Sequence, residues 1–177
     1  SVIYMGDENP MFIPHPTLSD EFGGTPDCAI ITDHGTIPFG VEIKCPKNPL
    51  YHFDRLDWKD QWDIYANYPL VYAQIQSLLM ITGASEWHFV SYDDRQISTA
   101  HKIKIIPVLP DKNFQSKLEI RLKQAIREKY RIISKKYKIE VVNRYPAHKT
   151  VYNAIVRVEL HQVGSHFERR NTLIRVR

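Results

Sequence analysis

The sequence predicts an α/β protein, and three features of its apolar patterning support this fold class. Residues 27–44 contain two β-rich runs on either side of a glycine turn, which is the pattern of a β-hairpin. Residues Pro69–Thr82 place apolar side chains at helical spacing. Two further strand patterns, Trp87–Tyr92 and Ile103–Leu109, precede a long helical pattern over Asn113–Lys138.

Residues at the element ends support the hairpin and the first long helix. Gly35 stands in the turn over residues 33–36, where glycine readily adopts a positive φ. Pro69 suits the first turn of a helix, and Gly83 suits its C-terminal cap. The predicted buried face of this helix consists of Val71, Ile75, Leu78, Leu79 and Thr82.

The remaining N-terminal segments have weaker patterns. Residues 1–5 predict a short strand, whereas prolines and glycines over residues 6–26 predict a loop. Residues 50–66 are aromatic and acidic, and they form either a short helix or a substrate-facing loop. Trp58 and Trp62 are four residues apart, so we expect them to pack on one buried helix face.

The pattern changes near residue 138, which suggests two regions. Residues 1–138 are expected to form the core. Residues 139–177 are expected to form a C-terminal β-hairpin extension, because apolar and polar residues alternate on both sides of Gly164-Ser165.

Length and composition exclude several classes of protein. The 177 residues suffice for a buried core, and 43% hydrophobic with 25% charged residues is globular composition. No apolar run approaches the roughly 20 residues of a membrane span, and no signal peptide is recognisable. Cys28 and Cys45 are too few for a zinc site and are expected to be reduced thiols. We therefore expect a cytoplasmic protein without a membrane partner.

The net charge of +4 conceals a division along the chain. Residues 1–112 carry 8 Lys and Arg against 15 Asp and Glu, whereas residues 113–177 carry 16 against 5. An acidic half suggests carboxylates that hold cations, and a basic half suggests a surface that meets polyanions. The alternative is that these charges belong to solvated helix faces.

Asp27 and the triplet Glu42-Ile43-Lys44 are the residues that point to chemistry. Glu42 and Lys44 share one strand face because side chains alternate, and the hairpin can return that face beside Asp27. Two carboxylates bind a hard cation such as Mg²⁺ through oxygen, and the Ile43 carbonyl could supply another oxygen. Lys44 could orient or deprotonate a water molecule and stabilise a charged transition state. A cross-strand salt bridge at a sheet edge is the alternative interpretation.

Further motifs surround these residues in a fixed order. They are Gly23-Gly24-Thr25-Pro26-Asp27, Val41-Glu42-Ile43-Lys44-Cys45-Pro46, Tyr72-Ala73-Gln74-Ile75-Gln76, Leu79-Met80-Ile81-Thr82-Gly83, Trp87-His88-Phe89 and Ser91-Tyr92-Asp93. From about residue 3 to residue 135, this series resembles the lambda-exonuclease-like (YqaJ-type) viral recombinase family of PD-(D/E)xK nucleases. The resemblance is specific because several separated motifs match in order.

The resemblance implies a fold, an activity and partners. The fold is a restriction-endonuclease-like core, in which a central mixed β-sheet is flanked by helices. The activity is Mg²⁺-dependent hydrolysis of DNA phosphodiester bonds, with Mn²⁺ as a substitute, typically as 5′-to-3′ resection of a duplex in recombination or end processing. The implied partners are DNA ends, further copies of the chain in a ring-shaped trimer, and a single-strand annealing protein. For a member from a eukaryotic virus, the resemblance implies the host nucleus as the location.

The resemblance also implies roles for individual residues. Asp27 and Glu42 resemble the metal-binding carboxylates, the backbone carbonyl of Ile43 resembles a further metal ligand, and Lys44 resembles the catalytic lysine. Gln74 resembles the helix glutamine that positions the nucleophilic water or the scissile phosphate.

A second glutamine, Gln76, is a weaker candidate for the same role. It lies two residues after Gln74, which is about 200° around a helix, so we expect its side chain to face elsewhere.

The family has N-terminal helices before the first strand, which supply a further acidic residue and a basic residue near the DNA end. The present sequence starts at the strand, and its acidic residues upstream of Asp27 are Asp7, Glu8, Asp20 and Glu21. Either one of them substitutes, or a second metal site is weakened, or the corresponding part lies outside this chain.

Two surfaces are candidates for nucleic-acid contact. The predicted helix over residues 113–138 has a basic face suited to a phosphate backbone. Its candidate contacts are Lys117, Arg121, Arg127 and Lys135. Tyr51 and His52 follow the Glu42-Ile43-Lys44 strand and are candidates for substrate contact.

Other functions stay open at this point. The same core can cut a duplex internally, or degrade RNA. The chain could also be a nucleic-acid-binding domain without turnover, since the upstream acidic ligand is missing.

Overall fold

A computed structural model of the chain describes residues 2–4, 10–137, 140–142 and 155–157. Its strands are β1 (Val2–Tyr4), β2 (Ile13–His15), β3 (Ser19–Gly24), β4 (Cys28–Ile30), β5 (Phe39–Lys44), β6 (Glu86–Tyr92), β7 (Ile103–Val108), β8 (Glu140–Val142) and β9 (Ile155–Arg157). Its helices are α1 (Pro49–Leu56), α2 (Gln61–Asn67), α3 (Pro69–Thr82) and α4 (Lys112–Tyr137), with a short 3-10 helix at Thr99–His101. No helix within these residues is long and apolar enough to cross a membrane.

The centre of the fold is a five-stranded mixed sheet with the strand order β1-β4-β5-β6-β7. Neighbouring strands are antiparallel except β5 and β6, which run parallel. A parallel pair needs a long crossover connection, and α1, α2 and α3 together form that crossover. The predicted fold class, a central mixed sheet flanked by helices, is therefore confirmed.

The core lies between α3 and one face of the sheet. Buried side chains of α3, among them Tyr72 and Ile75, pack against Trp87 and Phe89 of β6 and against β7. The helix begins with a proline in its first turn and ends at Gly83, whose φ of 69° forms the left-handed cap. The predicted bounds of α3 are confirmed, because apolar spacing, proline and glycine all indicate the same limits.

The prediction of a loop over residues 6–26 is wrong for residues 13–24. β2 and β3 pair antiparallel, with an irregularity between Pro14 and His15. The buried His15 ring stabilises the connection, since its Nδ1 accepts hydrogen bonds from the Thr17 and Leu18 N–H groups at 3.2 and 3.1 Å. A three-residue strand that contains proline is too short and too irregular to show an alternating pattern.

Residues 50–66 form two short helices, so the prediction that Trp58 and Trp62 share a helix face is wrong. Trp58 lies in the connection between the helices and stacks on Phe89 with ring centroids 5.9 Å apart. Trp62 lies on α2 and is 53% exposed. A new helix, α2, begins after Asp60, because Asp60 and Asp63 form a capping box at its N-terminus.

The C-terminal extension is described only in part. β8 and β9 pair antiparallel, with Val141 opposite Val156. The turn predicted at Gly164-Ser165 and the strand predicted after it lie outside the described residues.

Gly40 allows β5 to pass close beneath the core. A Cβ atom on this residue would lie 2.3 Å from the Cη2 and Cζ2 atoms of the buried Trp87 ring. We expect Gly40→Ala to lower the free energy of unfolding by about 1–3 kcal/mol, because the indole has no room to move. Urea unfolding would measure this change.

The matched control is Gly35→Ala. Gly35 has a φ of 75° but nothing within 4 Å of the added methyl group. In a double-mutant cycle, Trp87→Phe should reduce the cost of Gly40→Ala and leave the cost of Gly35→Ala unchanged. An equal cost of Gly40→Ala in both backgrounds would contradict the steric explanation.

Candidate active site

The structure brings Asp27, Glu42 and Lys44 together at one end of the β4–β5 pair. Cys28 lies opposite Val41, so the same register places Asp27 opposite Glu42. Asp27 Oδ2 accepts a hydrogen bond from the Ile43 N–H at 2.6 Å. Lys44 Nζ forms an ion pair with Glu42 Oε1. The alternation of the strand and the turn of the hairpin thus produce the predicted convergence.

The Glu42 carboxylate is buried, and among the residues that the structure describes only one of its two oxygens is paired. The residue is fully buried, and its Oε2 atom has no hydrogen-bond partner within the described residues. Burial raises the pKa of the Glu42 carboxyl, Lys44 opposes that increase, and the nearby Asp27 charge adds to it. A buried carboxylate oxygen without a donor is costly. It is therefore the kind of atom that a cation would stabilise.

The Ile43 carbonyl lies on the Asp27 side of β5. The N–H and C=O groups of one strand residue point toward the same neighbouring strand, and the Ile43 N–H points to Asp27. β4 begins only at Cys28, so its ladder does not extend to this carbonyl. An oxygen at this position suits the predicted role as a metal ligand.

Gln74 and Gln76 face different parts of the protein, as their helical spacing predicts. Gln74 is exposed on α3 and lies near Glu42, where it acts to lower the carboxyl pKa against the larger effect of burial. Gln76 is fully buried. It donates to the Leu109 carbonyl at 2.9 Å and accepts from the Asp111 N–H at 2.9 Å and from Gln115 Nε2 at 3.0 Å. Gln76 thus joins α3 to the start of α4.

None of the upstream acidic residues is seen at this site. Asp7, Glu8 and the side chain of Asp20 lie outside the described part of the chain. Glu21 accepts hydrogen bonds from Lys129, at 2.6 Å, and from Tyr130, so it is held by α4. Among the side chains that the structure describes, no three His, Cys, Asp or Glu residues cluster closely enough to hold a metal ion. A metal here would depend on Asp27, Glu42, a carbonyl and water.

The structure does not support the prediction that His52 contacts substrate. Tyr51, the other residue of that prediction, is 59% exposed. His52 is fully buried on the inner face of α1, and its ring nitrogens contact Ser91 Oγ at 2.8 Å and the His101 carbonyl at 2.7 Å. Hydrogen bonds to β6 and to the 3-10 helix therefore occupy the ring.

Arg55 is a buried cation that the sequence pattern did not single out. Its guanidinium lies 4.9 Å from the centroid of the Tyr68 ring and donates to Ser91 Oγ at 3.3 Å. Burial lowers the pKa of Arg55. Ser91 is the register partner of Lys44 in the parallel β5–β6 pair, so this polar group packs beside the candidate site. The signal was available, because His52 and Arg55 are three residues apart on one helix face.

Arg95 binds the backbone of the segment that follows Lys44. Its guanidinium donates to the carbonyls of Pro46 and Lys47 at 2.9 and 2.8 Å, and it pairs with Asp93 at 2.7 Å. Hydrogen bonds from Arg95 lower the pKa of Asp93 to about 2. The Ser91-Tyr92-Asp93 motif thus places a carboxylate that holds the arginine against the backbone after Lys44.

The four predicted phosphate contacts all lie exposed on α4. They are Lys117, Arg121, Arg127 and Lys135. The structure places them on a different element from the Asp27–Glu42–Lys44 site.

Comparisons with solved structures identify proteins of similar fold. No protein-family model matches the chain, and no curated protein matches it. The crystal structure of LHK-Exo in complex with dAMP is similar at a TM-score of 0.54 and 23% identity, over 77% of this chain and 62% of that chain. A crystal structure of the alkaline exonuclease LHK-Exo from Laribacter hongkongensis gives a TM-score of 0.45 and 24% identity, over 75% and 64% of the two chains.

The first of these likenesses shows that the chain has an LHK-Exo-like α/β fold. The region in common spans 62% of the length of that LHK-Exo chain.

The Asp93–Arg95 pair gives a prediction about pH. The pKa of Asp93 is about 2 in the folded protein, below its ordinary value of 3.8. The pair therefore stabilises the fold fully above about pH 4, and this contribution is lost as the pH falls toward 2. We expect Arg95→Ala to lower the unfolding midpoint at pH 7, and the difference from wild type to narrow as the pH falls.

The control for this prediction is Arg95→Lys, which keeps the charge but loses the planar fork that reaches two carbonyls. It should retain part of the pH dependence. Thermal unfolding from pH 7 toward pH 2 measures all three proteins. A difference between wild type and Arg95→Ala that does not vary with pH would contradict a role for the Asp93 charge.

Proposed function

We propose that this chain is a metal-dependent deoxyribonuclease that hydrolyses DNA phosphodiester bonds, acting as a 5′-3′ exonuclease at duplex ends. The observation that carries the proposal is the convergence of Asp27, Glu42 and Lys44 around a buried carboxylate oxygen that has no hydrogen-bond donor among the residues the structure describes. The fold supports it, because LHK-Exo, a protein with a similar fold, is an alkaline exonuclease and was crystallised with dAMP.

The residues present fit Mg²⁺ or Mn²⁺. Carboxylate and carbonyl oxygens are the ligands that these hard cations prefer, and Mg²⁺ keeps several water molecules when few side chains bind it. Asp27, Glu42 and the Ile43 carbonyl would hold the ion. A bound divalent ion supplies charge that offsets the negative charge developing on a phosphate during hydrolysis.

The side chains around these ligands have separate tasks in the proposed reaction. The Lys44 ammonium, held by Glu42, would orient the attacking water and stabilise charge on the phosphate. Gln74 is exposed beside Glu42 and would position the water or the scissile phosphate. Arg95 would keep Lys44 in place, because it binds the two carbonyls that follow Cys45.

The biological setting belongs to the same proposal. The resemblance of the sequence motifs to viral recombinases favours recombination or DNA end processing in a phage or virus. In this setting, the chain would assemble with further copies of itself into a trimer around DNA. It would also act with a single-strand annealing protein.

Removal of the Lys44 amine gives the first functional prediction. Lys44→Ala should lower the rate of Mg²⁺-dependent degradation of linear duplex DNA by about 10²–10⁴-fold, because a positioned proton-transfer and charge-stabilising group is lost. Gel or fluorescence assays of a 5′-labelled duplex measure the rate. The matched control is Cys45→Ala, which alters the neighbouring exposed residue and should retain activity.

Asp27→Asn separates metal binding from the role of Lys44. Wild type and Lys44→Ala should both show a higher unfolding midpoint with Mg²⁺ or Mn²⁺, whereas Asp27→Asn should show a smaller increase.

Equal nuclease activity of wild type and Lys44→Ala would exclude the role of the lysine. Binding of DNA without cleavage under any divalent ion would favour a binding domain instead, and comparison of circular DNA and RNA substrates would identify other nuclease types.

The two glutamines of α3 provide a second prediction. Gln74→Ala should reduce the cleavage rate and leave the free energy of unfolding nearly unchanged, because the side chain is exposed. Gln76→Ala should lower the free energy of unfolding by about 1–3 kcal/mol, because it leaves buried polar groups without partners. It should keep the activity per folded molecule.

Activity assays combined with urea unfolding of both variants test this division. If Gln76→Ala lost activity while remaining fully folded, or if Gln74→Ala kept full activity, the assignment of the two faces would be wrong.

A further inference from the structure

Seven of the nine cations of α4 fall into two groups, and the first group forms ion pairs within the protein. Lys123 pairs with Glu119 and Lys129 with Glu21, each at 2.6 Å, and Arg131 pairs with Glu128 at 2.7 Å. These three positive charges already have carboxylate partners. They have less to gain from a phosphate.

The second group has no such partner among the residues that the structure describes. Lys117, Arg121, Arg127 and Lys135 are exposed and form none of its ion pairs. Four uncompensated charges on one helix attract polyanions, and the attraction increases when the charges lie in a line.

Helical geometry places most of this group in a line. At 100° per residue, Lys117, Arg121 and Lys135 fall within about 40° of one another around the axis of α4, and Arg127 lies about 80° to one side of Lys117. Lys117 and Lys135 are separated by roughly 27 Å along the axis, at 1.5 Å per residue. The spacing suits a sugar–phosphate backbone, whose charges repeat along its length. We call these four residues the α4 stripe.

The stripe is held in a fixed position relative to the candidate active site. Gln115 of α4 binds Gln76 of α3 at 3.0 Å, and the Asp111 carboxylate accepts from the Phe114 N–H at 3.0 Å at the start of the helix. Farther along α4, Lys129 and Tyr130 bind Glu21 of β3. Because α3 also carries Gln74, these contacts, one near the start of α4 and one in its second half, couple the stripe to that site.

We infer that the α4 stripe binds the sugar–phosphate backbone of duplex DNA at a distance from the cut, so that it holds the substrate while the active site works. The inference rests on the proposed function for its choice of DNA. The outer face also carries the exposed apolar residues Ile120 and Ile132, at 58% and 50% exposure, which a protein partner would use. The four uncompensated charges favour the phosphate backbone.

Two triple variants with equal loss of charge test the inference. The first is Lys117→Ala/Arg121→Ala/Lys135→Ala in the stripe. The second is Lys112→Ala/Lys123→Ala/Arg131→Ala, which removes three cations of the same helix that already have internal partners, since Lys112 donates to Gln115 at 3.3 Å. It leaves the Lys129 contact with Glu21 intact. Fluorescence anisotropy with a labelled linear duplex in EDTA, over 50 to 200 mM salt, gives the slope of log affinity against log salt without cleavage.

The stripe variant should reduce that slope by roughly 2.7, about 0.9 for each lost phosphate contact, whereas the control variant should change it much less. Adding Arg127→Ala to the stripe variant should reduce the slope by about a further 0.9. Equal slopes for the two triple variants, or an unchanged slope in the stripe variant, would overturn the inference. So would a stripe variant that binds DNA normally but changes its sedimentation, since that result assigns the face to a protein partner.

The binding experiment can fail independently of the nuclease assay. Wild-type protein that binds with the expected slope but cuts nothing with Mg²⁺ or Mn²⁺ would remove the proposed function and leave the stripe in place. Wild-type protein that cuts DNA, with a stripe variant of unchanged slope, would remove the stripe and leave the nuclease.

Discussion

The buried carboxylate of Glu42 is the constraint on which the site depends. A carboxylate inside a protein is unfavourable unless neighbouring groups compensate its charge. Lys44 compensates one oxygen, and the other has no hydrogen-bond donor within the described residues. The β4–β5 register places Asp27 opposite Glu42. The packing of α3 on the sheet, which also buries Glu42, places Gln74 near the carboxylate. The residues with proposed catalytic roles are thus arranged around one costly charge.

That charge can be buried because α3 lies close to the sheet. Gly40, Glu42 and Lys44 share one face of β5, since side chains alternate along a strand. Gly40 lets the Trp87 ring lie directly on the backbone, and Phe89 is the register partner of Glu42. Beyond them, Arg55 and Ser91 fill the space next to Lys44 with polar atoms that bind each other. On this face of β5, apolar packing at Gly40 is therefore followed by polar groups at Glu42 and Lys44.

The sequence predicted elements whose signals are local and repeated. α3 was predicted with its observed limits because apolar spacing, Pro69 and Gly83 agree, and the convergence of Asp27, Glu42 and Lys44 followed from the period of a strand and the turn of a hairpin. β2 was missed because a three-residue strand shows no period, and β3 because its six residues, Ser19–Gly24, are mostly polar or glycine and show no apolar alternation. His52 was a candidate for substrate contact because of its position after β5, whereas its place on the inner face of α1 buries it. The role of Arg95 could not be predicted, because its partners Pro46 and Lys47 lie almost fifty residues earlier in the chain.

The single parallel step between β5 and β6 has a consequence for how the protein folds. All other neighbours in the sheet are antiparallel, and β4 with β5, or β6 with β7, can pair as soon as a short connection closes. β5 and β6 can pair only after the roughly forty intervening residues, which include α1, α2 and α3, have returned the chain to the sheet. Closing so long a loop is entropically unfavourable and slows folding. The Asp27–Glu42–Lys44 end of the first hairpin therefore forms early, while the helix that covers it arrives with the slowest step.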